Sequence, residues 1–225
     1  MSLAIATARA AYRVHTRGST ATAVTRNVGD MVGKVCILTL FSAMATRLAQ
    51  DFVQTGHITG LLLLASEALV VALTLVRRPA EVVDRTWKAR ALTMFSTFCP
   101  PLLRPGAIAA LGPESLTVTI SAIGLMIVVL AKMWLGRSFG LTPANRGVVC
   151  AGAYRFVRHP IYLGYLITHI GFVIAYPGIW NLGVLVAADV ALMLRAIREE
   201  RTLALDPSYR AYMDRVQWRI IPGVF

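Results

Sequence analysis

Five stretches of this sequence, each about twenty residues long, carry very little charge, and they restrict the fold more than any other feature. A backbone surrounded by hydrocarbon must pair its own N–H and C=O groups, so such stretches fold as helices or closed barrels. A helix crosses the ~30 Å hydrocarbon layer with about 20 apolar residues. The five stretches are 31–50, 58–76, 115–135, 160–176 and 179–197. A sixth, 91–111, is interrupted by Cys99-Pro100-Pro101 and Arg104-Pro105-Gly106 and predicts a short, broken or re-entrant helix.

Composition tells lipid from a protein core as the surroundings of these helices. Of the 225 residues 56% are hydrophobic and only 15% charged, with a mean hydropathy of +0.63. A soluble domain carries about 25% charged residues. The expected fold class is therefore all-α, a multi-spanning transmembrane helix bundle with about six crossings, the third weak or broken. Tyr176-Pro177-Gly178 is a turn signal. It predicts a C-terminal helical hairpin, followed by a cytoplasmic helical tail.

The net charge of +12 does not point to nucleic acid, because the cations lie between the apolar runs. Arg9, Arg13, Arg17 and Arg26 mark residues 1–30 as a basic cytoplasmic arm, without the apolar core of a signal peptide. With six crossings, the segments holding Arg77, Arg78, Arg85, Lys88, Arg90, Arg137, Arg146, Arg155 and Arg158 share one side with the C-terminal arginines. Arg47 and Arg104 fall opposite, and Lys132 falls near the inner surface. This asymmetry places both termini in the cytoplasm. Residues 31–225 read as a single membrane domain. The three cysteines form no CxxC pair and no metal site is expected.

Three ionisable residues fall within apolar runs: Glu67, His169 and Asp189. Such residues are costly in lipid and face a bundle interior or a cavity. They either line a substrate path or pair with one another across helices.

The most informative segment is 152–165, GAYRFVRHPIYLGY. It places Tyr154, Arg158 and His159 directly before a membrane helix opened by Pro160, which suits a first helical turn. A helix N-terminus flanked by cations favours an anion. The second polar segment, from Arg195 to Val216, holds Glu199 and Glu200 where the last helix leaves the membrane. A hairpin brings these acids beside Arg158, His159 and Tyr162. Opposed charges there suit a zwitterionic ligand, or else anchor the hairpin as salt bridges.

The two segments, GAYRFVRHPIYLGY and EERTLALDPSYRAYMDRVQWRIIPG, together resemble the isoprenylcysteine carboxyl methyltransferase family, which is grouped with phospholipid methyltransferases. The resemblance covers roughly Trp134 to Gly223, so residues 134–223 would form the cofactor-binding catalytic part. It implies an S-adenosylmethionine-dependent integral membrane methyltransferase. By the same resemblance His159 and Tyr162 contact the cofactor, and Glu199 or Glu200 binds its amino group. Arg158 meets its carboxylate, Tyr154 and Leu163 line the pocket, and Tyr209, Tyr212 and Arg215 cover it. Arg158 and Glu199 are the expected catalytic residues. Where the family often has Gly-Pro-Tyr-Arg, this chain has Gly152-Ala153-Tyr154-Arg155.

Two alternatives compete. Membrane sterol reductases carry a similar Arg-His-Pro-x-Tyr element and bind NADPH, but typically place an acid soon after the tyrosine, where this chain has Leu163-Gly164-Tyr165. A non-catalytic transporter or ligand-binding protein would use Glu67, His169 and Asp189 as its polar path. The expected partners are membrane lipid and a lipophilic or small-molecule methyl acceptor, with no nucleic acid. The Ala, Val and Arg content suggests a bacterial inner membrane.

Overall fold

A computed structural model describes residues 20–76, 82–83, 87–106, 108–135, 144–145 and 148–225. Arg9, Arg13, Arg17, Arg77, Arg78, Arg85, Arg137 and Arg146, used above to argue topology, lie outside the described residues. The chain forms two compact units, 1–41 and 42–225. The described part of the first is helical from Thr20. Residues 20–30, read above as part of an arm, thus begin the helix α1, Thr20–Thr55.

The second unit is all-helical apart from one two-residue pairing of β1, Val82–Val83, with β2, Ala144–Asn145. Its further helices are α2 (Thr59–Val76), α3 (Trp87–Phe98), α4 (Glu114–Leu135), α5 (Pro160–Ala175), α6 (Ile179–Leu203) and α7 (Pro207–Arg215). Two of them, α4 and α6, are long and apolar enough to cross a membrane, while α5 and residues Thr59–Leu69 are shorter apolar helices.

The weak sixth stretch is broken. At ~1.5 Å per residue, the twelve residues of α3 cover about 18 Å. The helix ends at Phe98, and after Cys99 the residues Pro100–Leu102 form a single 3₁₀ turn with both prolines buried. Proline has no N–H with which to continue the ladder.

Helices α4 and α5 form the closest-packed pair. The buried face of α4 reads Thr117, Ser121, Gly124, Val128, Ala131 and Lys132, an i, i+3, i+4 stripe of mostly small residues. Against it lie Gly164, Thr168 and Gly171 of α5. A Cβ on Gly124 would sit 2.7 Å from the Gly164 carbonyl oxygen, and one on Gly171 would sit 2.3 Å from Ser121 Oγ. Lipid gives no hydrophobic drive for helices to associate, so close approach through small residues supplies the contact energy.

Polar ties close the end of the unit that holds the 176–178 turn. The Ile58 N–H donates to Glu114 Oε1 at 2.7 Å, and Tyr176 OH donates to Asp51. Asn181 Oδ1 accepts from the Arg104 N–H, while its Nδ2 donates to the carbonyls of Arg104 and Tyr176. The functional residues lie at the other end of α5 and α6.

Candidate functional site

Helix α6 follows α5 after three residues, and their contacts run antiparallel: Asn181 meets Tyr176, Asp189 meets His169, and Glu199 meets Tyr162. The start of α5 and the end of α6 are therefore neighbours. Gly152 makes the preceding turn possible. Its φ is +60°, and a Cβ there would lie 2.4 Å from the Trp134 ring.

Two carboxylates organise the site. Glu200 is 3% exposed and is met by two guanidiniums and an imidazole. Arg158 Nε donates to its Oε1 at 2.7 Å and Arg158 Nη2 to its Oε2 at 3.3 Å. Arg219 Nε donates to Oε2 at 2.8 Å, and His159 Nε2 lies 3.3 Å from Oε1. Glu199 is more open, its side chain 15% exposed. It accepts from Tyr162 OH at 2.8 Å and from Arg195 Nε at 3.2 Å, while His159 Nδ1 stands 3.7 Å away. The His159 and Tyr162 rings stack with centroids 5.2 Å apart, and the Arg195 guanidinium lies 5.6 Å from the Tyr162 centroid.

The tail encloses this cluster. The N–H groups of Arg158 and His159 donate to the carbonyls of Trp218 and Arg219 at 2.9 and 2.7 Å. Arg158 Nη1 donates to the carbonyls of Val216 and Gln217. In α7, Tyr209 and Tyr212 are buried, and Tyr212 OH donates to the Tyr154 carbonyl at 2.7 Å. Burial pushes the hydroxyls of Tyr154, Tyr209 and Tyr212 well above the ordinary tyrosine range. They remain protonated donors at neutral pH.

Several expectations need revision. Arg158 has four of its five N–H groups occupied by Glu200 and two tail carbonyls. Its contacts are those of a clamp between α5, α6 and the tail, and do not leave it free for a ligand carboxylate. Arg215 lies outside the buried cluster, exposed, with Nη2 3.9 Å from Cys150 Sγ. Leu163 packs on the edge of the core built from Tyr154, Tyr162, Tyr209 and Tyr212. Tyr209 and Tyr212 are buried in that core. Lys132, expected near the inner surface, is 2% exposed and donates from Nζ to Tyr165 OH at 3.0 Å. It stands on the small-residue stripe of α4, which faces α5.

The three acids and bases of the apolar runs also have positions. His169 Nδ1 meets Asp189 Oδ1 at 2.7 Å. Glu67 is 6% exposed and within electrostatic reach of His169 and Lys132. These groups pair across α2, α4, α5 and α6. Arg195, Arg219 and Lys132 were not singled out from sequence as functional. Arg195 had one available signal, its i, i+4 spacing to Glu199.

His159 Nε2 is buried and lies 3.3 Å from Glu200 Oε1 without completing a hydrogen bond to it.

Residues 115–205 match the isoprenylcysteine carboxyl methyltransferase (ICMT) family. The match covers less than half of the 225-residue chain but spans α5 and α6 whole and all of α4 except Glu114, with both carboxylates of the site. It agrees with the resemblance carried by residues 152–165 and 199–223. The ICMT family is one of membrane methyltransferases, and the apolar α4 and α6 are compatible with that setting. No curated protein matches the chain.

Proposed function

We propose that this protein is an integral membrane methyltransferase that uses S-adenosylmethionine to methylate a lipophilic acceptor bearing a thiol, carboxylate or amine. The observation that carries the reading is the convergence of His159, Tyr162 and Glu199 within the family-matched segment.

The residues present fit the methyl donor. Its ammonium needs a carboxylate with free lone pairs, and Glu199 is better placed than Glu200, whose oxygens already serve Arg158 and Arg219. Its cationic sulfonium is favoured by aromatic faces, which Tyr154, Tyr162, Tyr209 and Tyr212 supply near the carboxylates. His159, whose Nδ1 stands 3.7 Å from Glu199, offers a further polar contact. Leu163, on the edge of that core, offers an apolar contact, while Arg215 stands outside the cluster. When bound, the donor supplies an electrophilic methyl group that needs no further activation.

The protein's own work is then positioning and exclusion of water. In-line alignment of acceptor, methyl and sulfur accounts for much of the barrier lowering in such transfers. Arg158 and Glu200 act by holding the tail over the site. Arg195 orients Glu199, which in turn fixes Tyr162. The charged end of α6 faces the cytoplasm, and the acceptor arrives through the bilayer. His169, Asp189 and Glu67 hold the bundle together and are not needed for donor binding.

Calorimetry on detergent-purified protein tests this reading. S-adenosylmethionine should bind, NADPH should not, and the variants His159→Ala and Glu199→Ala should each lose at least tenfold in donor affinity. Binding of NADPH alone would replace the methyltransferase reading with a reductase. Binding of neither would reduce the acid and histidine cluster to an anchor for the tail.

A further inference from the structure

Donor binding leaves one buried pair in the middle of the bundle unused. His169 of α5 is 3% exposed. Its Nδ1 lies 2.7 Å from Asp189 Oδ1 of α6, and its Nε2 makes no hydrogen bond with any described residue. Buried polar atoms are nearly always satisfied, so a nitrogen without a partner at this depth marks a place where a polar group of a ligand fits. Other polar groups surround the pair. Glu67 of α2 is within electrostatic reach of His169 and of Lys132 of α4, and Lys132 Nζ bonds Tyr165 OH at 3.0 Å. The Tyr165 and His169 rings stack with centroids 6.3 Å apart. Tyr162, Tyr165 and His169 follow i, i+3, i+7 spacing and share one face of α5. That face runs from the donor site to the pair. At ~1.5 Å per residue, His169 lies about 10 Å from Tyr162 along the helix, on the side from which the acceptor comes.

We propose that His169, held by Asp189, is the general base that takes a proton from the methyl acceptor, and that the acceptor is therefore a lipophilic thiol or amine rather than a carboxylate. The inference rests on the methyltransferase reading. An imidazole held at one nitrogen by a carboxylate accepts a proton at the other, and the carboxylate stabilises the imidazolium that forms. The X–H bond of the acceptor breaks and its proton passes to His169 Nε2. The electron pair left on X forms the new bond to the methyl carbon, and the pair of the broken S–C bond stays on sulfur. The positive charge lost by sulfur thus reappears on the imidazolium beside Asp189, and the total charge buried in the bundle does not change. The amino-acid arm of the donor, a near-attack contact of ~3 Å and a hydrogen bond of ~3 Å span a gap of the observed order when the ammonium is held at Glu199. A carboxylate acceptor has no proton to lose, and its charge would be brought up against Asp189 and Glu67 at low dielectric.

Two measurements on the full chain in neutral detergent test it. The first is nitrogen NMR of donor-free protein carrying isotope-labelled histidine, titrated with decanethiol or with decane. Decanethiol should shift the His169 Nε2 signal, identified by its loss in His169→Gln, and decane should leave it in place. Should that variant fail to fold, Asp189→Asn identifies the same signal by moving it. The second measurement is methyl transfer from S-adenosylmethionine to decanethiol. Its kcat should fall by about 100-fold or more in His169→Gln, while donor affinity measured by calorimetry stays that of wild type. Equal shifts from decane and decanethiol, an unchanged kcat in folded His169→Gln, or faster methylation of decanoate than of decanethiol by wild type would overturn the proposal. Each of these results leaves the methyltransferase reading standing as long as wild type binds the donor. Absence of donor binding to wild type would remove that reading, and the proposal with it.

Discussion

Arg158 and Glu199 illustrate how two charged residues in one cluster differ in what they do. Arg158 is 7% exposed and joins a buried carboxylate to two tail carbonyls. Removing one member of a buried pair costs ~3–5 kcal/mol, because the partner is left charged and uncompensated. Arg158→Ala should therefore lower the unfolding free energy by about 3 kcal/mol in a denaturant titration, whether or not donor is present. Glu199→Gln keeps one acceptor oxygen where two accept, from Tyr162 and from Arg195. It should cost about 1 kcal/mol of stability, one partly buried hydrogen bond, while weakening donor binding, and calorimetry beside the same titration separates the two effects. Tyr212→Phe removes one hydrogen bond to a buried carbonyl and should cost ~1–3 kcal/mol. At this scale the sequence was readable for His159, Tyr162, Glu199 and Glu200, since a turn between two apolar runs dictates which ends meet. It was not readable for Arg158, whose partners include carbonyls 58 and 59 residues away. Carbonyls leave no mark in a sequence, because every residue has one.

The helices were legible wherever lipid or proline dictates them. The observed α2, α4 and α5 begin and end within about one residue of their apolar runs, because an unpaired backbone group in hydrocarbon costs several kcal/mol. Extensions into water were not legible. Helix α1 continues back to Thr20 and α6 forward to Leu203 through polar residues that hydropathy does not register. Packing between helices was hidden too: Gly124, Gly164 and Gly171 look like ordinary membrane-helix glycines until α4 and α5 are brought together. Their substitution separates packing from propensity. A Cβ on Gly164 would lie 2.6 Å from Val128 Cγ2 and 2.7 Å from the Gly124 carbonyl oxygen, so Gly164→Val should destabilise by ~1–3 kcal/mol or more through forced separation of the helices. A Cβ on Gly183 of α6 meets nothing within 4 Å. Gly183→Ala should be neutral or stabilise by up to about 1 kcal/mol, because alanine is the better helix former. Thermal unfolding of the two variants in one detergent checks both. If they behave alike, the α4–α5 contact is looser than its geometry indicates.

Across the second unit, residues 42–225, the polar groups fall into three layers along α5 and α6. Asp51, Tyr176 and Asn181 tie one end, and Lys132, Tyr165, His169, Asp189 and Glu67 pair in the middle. Arg158, His159, Glu199, Glu200 and the tail fill the other end. The first two layers are satisfied largely by groups inside the bundle, whereas the third is completed by residues 216–219, beyond the family-matched segment. This division predicts that the tail is separable from the bundle in stability but not in ligand binding. Truncation after Gln217 removes the acceptors for the N–H groups of Arg158 and His159 and one of the guanidiniums on Glu200. It leaves the α4–α5 contact and the His169–Asp189 pair in place. Circular dichroism of the truncated protein should show helix content close to that of the full chain, while S-adenosylmethionine affinity should fall at least tenfold. Restoring Trp218 and Arg219 alone should recover most of the affinity, since the two carbonyls that hold residues 158 and 159 belong to them. Loss of helix content in proportion to loss of affinity would mean instead that the tail nucleates the bundle, and that site and fold form as one unit.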